Sequence, residues 1–481
     1  MKKTTALLLG LAAAPVALGA VMAARALRLK PREKTGNMRL PVEVDGDKAT
    51  ENLATLVKYA TVSNADFDKT DKPLFARYRE KLKELYPTVT ANSEYKELGN
   101  TAMLFKIAGK SREKPTVLMS HYDVVPVEED RWAHPPFCGE VIDGELWGRG
   151  TLDTKITMVG IMESLEKLLG EGFVPENDIY LAFGGDEEVS GISIPAVVEY
   201  MKEAGITPNL VLDEGGAVAE GILPGIDKPV AVIGIGEKGM CEIELVATSD
   251  GGHSSTPPQH TSLGKLAQSI VNIENSPFEA QVTRPVEGML KAVAPYTSLP
   301  LKMVLANMWL FKPVLPALAG VMGGQFNAMM RTTVAATMAQ GSKQSNVLPN
   351  ESKARLNVRL LNNTTPRQAL ERIQDLCEEG VTARFVIEQA ASPYAASRGE
   401  NWDKVALAIE DTWTDAIVSP YLMVGGSDSR HFSRICNDVY KFSRIHVSAE
   451  SMGLIHNDDE RIPVERIAKT VEFFTRLIKT L

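Results

Sequence analysis

Paired cysteines are missing from this chain. Its four, Cys138, Cys241, Cys377 and Cys436, are scattered without any short paired spacing, which excludes a sequence-readable zinc knuckle and a dense disulfide framework. Free thiols that behave as small buried hydrophobes are expected instead. Positive charge is also in deficit, since 52 Lys and Arg against 61 Asp and Glu leave a formal net charge of -9. A general nucleic-acid binder carries a basic stripe or domain, so no nucleic-acid partner is expected and small-molecule or peptide chemistry is the better class. Internal repeats and low-complexity tracts are absent. What remains is an ordinary globular composition, 44% hydrophobic and 23% charged over 481 residues, too long for one hydrophobic core of the usual size and therefore expected to form two domains.

Long apolar runs are few. One stretches from Thr4 to Ala24, after "MKK" and before Arg25, Arg28, Lys30, Arg32 and Lys34. It matches the ~20 residues a bilayer needs and exceeds the ~7–15 of a signal-peptide core. Residues 1–35 are therefore expected to be a membrane anchor or an export signal, apart from the fold, and the chain membrane-anchored or exported. Positive charge flanks both ends, so the run carries no orientation. A second apolar stretch, "MVLANMWLFKPVLPALAGVMGG", is interrupted by Lys312, Pro313 and Pro316, and buried helices or a hydrophobic interface are expected there in preference to a span.

From about residue 45 short β-rich runs alternate with amphipathic stretches, the pattern of an α/β domain. "PTVLMS" (115–120), "DIYLAFGG" (178–185) and "PNLVLDEGG" (208–216) read as strands, and "TMVGIMESLEKLLGEG" between the first two as a helix. Each strand runs directly into His or acidic residues. Open parallel sheets collect ligands at the carboxyl ends of their strands, so these runs deliver polar groups to one rim. After "GIGEKG" (234–239) the order strand, helix, strand, helix, strand suggests a small α+β domain. The expected organisation is a catalytic domain over 45–236 and 395–481. Into it a second domain, 237–394, is inserted, which itself carries an apolar insertion at 280–345.

The chemistry concentrates in few residues. His121 and Asp123 lie in "SHYD", Asp153 in "GRGTLDTK", Glu187 and Glu188 in "GGDEEVSG", Asp213 and Glu214 in "LDEGG", and His456 in "LIHNDDE". Crowded carboxylates raise one another's pKa and cannot all remain ionised without compensation. A pair of divalent ions about 3.5–4 Å apart, bridged by one carboxylate and capped by one His and one acid each, uses this inventory and leaves one carboxylate as a base.

Six motifs, "SHYDVVPV", "GRGTLDTK", "DEEVSG", "LDEGG", "GGHSSTPP" and "IHNDDE", resemble in order and spacing the dinuclear zinc peptidase family that contains carboxypeptidase S, aminoacylase and glutamate carboxypeptidase. "ANMWLFKP" and "MMRTTVA" are similar to the branch of carboxypeptidase S and the N-fatty-acyl-amino acid synthase/hydrolases. The resemblance implies a mixed, mostly parallel α/β sheet domain with an inserted ferredoxin-like lid and dimerisation domain, and two Zn2+ per chain, with Co2+ or Mn2+ as alternatives. By motif, His121 would bind one metal with Asp123 orienting it, Asp153 would bridge both, and Glu188 and His456 would hold the other. Glu187 would be the general base toward the bridging water, and either Asp213 or Glu214 the remaining ligand, with Asp213 taken here. His253 resembles the family histidine that hydrogen-bonds the substrate carbonyl, often across a homodimer. Asn346, Arg359 and Arg430 would grip the substrate carboxylate, since a guanidinium fork matches carboxylate geometry. One position departs from the family pattern: Thr154 follows the bridging aspartate, where Asp is common, which puts the tuning around the metals in question.

The expected function is a zinc-dependent metallohydrolase that cleaves a peptide or N-acyl amide bond next to a free carboxylate, with a small peptide or N-acyl amino acid as substrate. The alternative is a membrane-tethered binding protein of the same fold without catalysis.

Overall fold

The computed structural model describes residues 17–32, 41–220, 226–320, 324–442, 446–447 and 453–481. In chain order the first six strands are β1 (Ser93–Leu98), β2 (Ala102–Ile107), β3 (Ser111–His121), β4 (Glu140–Ile142), β5 (Glu145–Trp147) and β6 (Asn177–Gly184). Then come β7 (Leu210–Asp213), β8 (Ala217–Ala219), β9 (Val230–Glu237), β10 (Gly239–Thr248) and β11 (Gly252–His253). β12 (Thr333–Gln340), β13 (Val347–Leu348), β14 (Glu351–Leu360) and β15 (Val381–Gln389) follow. The last four are β16 (Ile417–Met423), β17 (Val439–Lys441), β18 (His446–Val447) and β19 (Arg461–Pro463).

Among the described residues the large sheet runs β1-β2-β6-β3-β7-β17-β9-β8-β18, with β16 added against β9. Its centre is parallel: β3 pairs in parallel with both β6 and β7, and β17 with β7. Such strands are covered on both faces, and the side chains obey that rule. Leu118, Leu181 and Phe183 point into a core shared with the helices Gly46–Val57, Lys155–Gly170 and Val464–Ile478. Val117, Met119 and Ala182 point the other way, against Ile194, Val197 and Met201 of the helix Ser193–Glu203. The period-2 alternation of the strand thus meets a helix layer on each side.

The chain leaves this sheet at Glu237 and enters the next at Gly239, with Lys238 alone between β9 and β10. The second sheet, β12-β14-β10-β15, is antiparallel throughout. The amphipathic helices Ser262–Asn275 and Pro366–Asp375 cover one of its faces through Leu266, Ile273, Ala369 and Ile373. The second helix starts at a capping box, with the Thr365 side chain on the Gln368 N–H and the reciprocal bond in place. On its return the chain runs beside its exit, where Ser392 donates its backbone N–H to the Glu237 carbonyl at 3.2 Å and Ala395 to Ile235 at 2.7 Å. Entry and exit therefore form a two-stranded junction between the sheets.

The stretch after residue 280 forms short helices, among them Arg284–Val293 and Leu299–Ala306, whose Val286, Met289, Leu290 and Leu305 share a core with Tyr421 and Leu422 of β16. The expected buried helices are found, and the stretch also supplies an unanticipated edge strand, β12. The expected membrane anchoring is overturned: among the described residues no helix is long and apolar enough to cross a membrane. The front of the N-terminal run, residues 4–16, lies outside the described residues. The rest is not set apart from the fold, because residues 17–28 are helical and lie against the helical insertion. There Ala26 is wholly buried, Asn307 Nδ2 donates to the Met22 carbonyl at 3.2 Å, and the Arg25 guanidinium sits 5.6 Å from the Trp309 ring centroid. Its arginine is used on protein.

Because Leu181 of β6 is fully buried at the centre of the larger core, Leu181→Ala is expected to cost about 2–5 kcal/mol through lost burial and the cavity left behind. Denaturant titration checks this, and a loss under about 1 kcal/mol would mean that the core collapses around the gap.

Candidate metal centre

Five segments meet at the carboxyl edge of the parallel strands. β3 ends on His121, β6 runs into Asp186, Glu187 and Glu188, and β7 ends on Asp213. The turn "GRGTLD" brings Asp153, and the segment before β19 brings His456. Glycine is needed in that turn. Gly150 has φ +92°, where side chains are rarely accommodated, and a Cβ on Gly148 would stand 2.3 Å from Val57 Cγ1.

Asp153 lies between the two imidazoles. Its Oδ1 is 3.1 Å from His121 Nε2 and its Oδ2 is 2.9 Å from His456 Nε2, which is also 3.1 Å from Glu188 Oε2. Ligand atoms of His121, Asp153 and Glu188 all fall within 4.8 Å of one another. His456 is aimed from a left-handed backbone, φ +60°, a region that His visits more readily than most residues.

Around this trio, buried groups set orientation. Asp123 is wholly buried. Its carboxylate accepts the N–H groups of Glu187 at 3.2 Å and Glu188 at 3.1 Å, and its carbonyl oxygen lies 3.0 Å from His121 Nδ1. One acid thus fixes both a histidine ring and the loop of two glutamates, as outer partners of metal ligands do. Glu460, also wholly buried, pairs with Arg149 at 2.7 Å and accepts the N–H groups of Gly150, Leu152 and Asp153 at 3.1, 2.7 and 3.2 Å. Lys155 adds a third tie, donating its buried Nζ to the carbonyls of Leu56 at 3.2 Å and Tyr59 at 2.7 Å, and burial pushes it down to about 7.

The electrostatics are those of a crowded acid cluster. Burial and then the neighbouring carboxylates carry Glu214 well above the ordinary range; Glu187 rises likewise, with His121 opposing. Burial raises Asp428 to about 8 against the pull of Arg430. Burial alone would lower His121, yet its hydrogen bonds to Asp123 and Asp153 hold it well above its usual value. The Asp153 and Glu188 hydrogen bonds lift His456 to about 10. This is how acids and imidazoles behave when they must neutralise one another. A donor set of imidazole nitrogens and carboxylate oxygens at these separations fits divalent cations of the zinc type, which would remove the need for the protons.

The remaining predicted residues divide. Asp213 is buried and its Oδ2 accepts the Ser429 N–H at 3.0 Å, whereas Glu214 is only half-buried. Arg359 lies on β14 opposite Met240 of β10, where burial and the charge of Arg430 both lower it. His253 and Asn346 come together on the second sheet's side, since His253 pairs with Val347 and Ser254 donates to the Asn346 carbonyl at 3.1 Å. His253 is exposed and bonded to Ser255 Oγ at 2.7 Å, and among the described residues no hydrogen bond or ion pair joins it to the acid cluster. His431, in the segment after β16, is pushed down to about 4 by burial and by Arg430. Glu460 and Arg149 escaped the sequence reading although both stand inside quoted motifs. Their signal was the acid closing "IHNDDE" and the arginine within "GRG".

Comparison with known proteins finds relatives along most of the chain. The model of peptidase family M20/M25/M40 matches residues 117–480. An N-fatty-acyl-amino acid synthase/hydrolase of Xenopus tropicalis is 33% identical over 446 residues, covering 91% of this chain and 86% of the relative. A probable carboxypeptidase S-like protein of Dictyostelium discoideum is 30% identical, covering 89% and 84%. Among solved structures, an M20 family metallo-carboxypeptidase from Sulfolobus solfataricus superposes with a TM-score of 0.67 at 16% identity, covering 90% and 98%. Human carnosine dipeptidase 1 gives 0.61 at 14%, covering 90% and 96%.

Two outcomes test the centre. Breaking the buried Arg149–Glu460 pair by Glu460→Ala is expected to cost about 3–5 kcal/mol, read by denaturation. In the metal-free protein, pairing keeps His121 and His456 protonated in the fold; that stabilisation is full below about pH 6.5 and fades as pH rises toward the folded value. Cations displace those protons, so the melting-temperature gain from added zinc is expected to be larger near pH 8 than near pH 6. A gain independent of pH would detach the histidines from the metal.

Proposed function

The chain belongs to peptidase family M20/M25/M40, and from that premise we propose how this hydrolase of amide bonds works and what it cleaves. The observation that carries the reading is Asp153, with one oxygen toward His121 and the other toward His456 beside Glu188. In this reading the chain would hold two divalent ions of the zinc type, through His121, Asp153, Glu188 and His456. Glu214 is the better-placed further ligand, because the Asp213 carboxylate is engaged by the Ser429 N–H. Bound there, such ions supply Lewis acidity, which lowers the pKa of water toward about 7 and polarises the scissile carbonyl.

The side chains do the rest. Glu187 accepts the proton of the attacking water and passes it to the departing amine, acting first as base and then as acid. Asp123 holds the Glu187 backbone and the His121 ring in register. Arg359, Arg430 and Asn346 receive the substrate carboxylate, and His253 closes over the carbonyl when the smaller sheet moves in. The substrate class is an N-acyl amino acid or a short peptide with a free carboxylate. The apolar helices after residue 280, together with the likeness to N-fatty-acyl-amino acid synthase/hydrolases, favour long acyl groups.

Glu187→Gln is expected to lower kcat by about 10²–10⁴-fold with little change in KM, and metal analysis should find two zinc per chain in the active protein. Hydrolysis of N-lauroyl against N-acetyl amino acids tests the acyl preference. Equal or reversed rates, with dipeptides cleaved faster than either, would favour a peptidase without interest in fatty acyl groups.

A further inference from the structure

The junction between the two sheets carries a carboxylate that neither the metal centre nor the substrate groups use. Glu237 closes β9 within "GIGEKG" and is buried. Its Oε1 lies 3.0 Å from the Nζ of Lys441, the equally buried last residue of β17. A buried ion pair is weak evidence of stability, because well-packed apolar residues of similar volume often replace one at little cost. The other contacts of Glu237 show what else it does.

Beyond the lysine, this carboxylate is met among the described residues by one loop, the turn after β16. Ser427 donates its backbone N–H to Oε2 at 2.8 Å and its hydroxyl to Oε1 at 3.2 Å, and the Ser429 hydroxyl reaches Oε1 at 3.5 Å. The backbone beside the carboxylate is tied as well. The Lys238 N–H donates to the carbonyl of Met423, which ends β16, at 3.0 Å, and the Glu237 N–H and carbonyl meet the Ser392 hydroxyl and N–H at 2.8 and 3.2 Å on the returning chain. The same loop carries Arg430. Among the described residues no ion pair fixes its guanidinium, so its placement depends on the backbone that bears it. That backbone is anchored at Ser427, whose carbonyl accepts the Arg430 N–H at 3.4 Å. Arg430 Nη1 also packs so close to Gly426 that a Cβ there would stand 3.0 Å away, with Glu237 Oε2 3.7 Å from the same point.

We propose that Glu237 is a positioning residue for substrate binding: by holding Ser427 it places the Arg430 guanidinium, and it does so from the junction on which the smaller sheet is hung. This rests on the reading of Arg430 as a grip on the substrate carboxylate. Glu237 touches no substrate, so its removal acts on the affinity for a free carboxylate and spares the hydrolytic step. The charge of Lys441 keeps Glu237 ionised as an acceptor for the loop's N–H and hydroxyl groups.

The test is the preference of the metal-loaded full chain for N-lauroyl-leucine over its carboxamide, read as a ratio of kcat/KM and, free of turnover, by calorimetry in the Glu187→Gln background. Glu237→Ala/Lys441→Met removes both buried charges at once, which protects the fold. It is expected to lower the preference at least about tenfold through KM, with kcat within about threefold of the parent. Glu237→Gln/Lys441→Met, which keeps an acceptor for the Ser427 N–H, is expected to restore the preference to within about threefold of the parent. Because Glu237 acts through Arg430, the effects do not add: on top of Arg430→Gln, the alanine–methionine pair is expected to change the preference less than about twofold. A preference unchanged in that pair, an equal loss with alanine and glutamine, or a loss that multiplies with that of Arg430→Gln would overturn the proposal and leave Arg430 as the grip. A preference unchanged in Arg430→Gln would overturn the reading of Arg430, and the proposal with it.

Discussion

Carboxylates do not gather in a protein interior without something to hold them, and compensation is the constraint on which this structure turns. Asp153, Glu187, Glu188, Asp213, Glu214 and Asp428 converge on one sheet edge with two imidazoles among them. Protons can balance that charge, at the cost of acids raised and histidines held charged. Cations of the zinc type would balance it without those protons, because the same imidazoles and carboxylates would hold them.

The scaffold serves that constraint in two ways. Parallel strands bring His121, the Glu187 loop and Asp213 out at one edge, so convergence follows from topology. Two buried acids then lock what topology brings together. Asp123 binds the glutamate loop to the histidine strand, and Glu460 binds the Asp153 turn to the C-terminal segment that carries His456. Residues far apart in the chain are thereby tied to one another by buried hydrogen bonds. The junction of β9, Lys238 and β10 links this edge to the smaller sheet, with Arg359 on one side and Arg430 on the other.

Much of this was legible in the residues. The runs at 115–120, 178–185 and 208–216 form β3, β6 and β7, because continuous β-branched and apolar stretches ended by polar residues have few other places to go. The helices Ser262–Asn275 and Pro366–Asp375 follow from spacing and from the Thr-Pro start of the second. Less legible was β12, an edge strand with most of its residues exposed, since a strand buried on neither side shows no periodicity to read. The N-terminal run misled for a related reason. Its length and apolarity matched a bilayer, yet residues 17–28 touch the insertion helices through the Met22 carbonyl and the Arg25 guanidinium, with Ala26 buried, and hydropathy does not distinguish lipid from a protein partner.

What the amino-acid order alone determined is the set of chemical groups and the local elements that carry them: strand ends bearing His121, Glu187, Glu188 and Asp213, and a glycine turn bearing Asp153. These follow from short-range sterics and from periodic burial. Only the tertiary structure decided that Asp153 faces both imidazoles, that Glu460 holds its turn, and that Asp213 is engaged by Ser429 while Glu214 is not. Those are contacts between segments tens to hundreds of residues apart. Their geometry is set by how layers pack, and no local pattern encodes it.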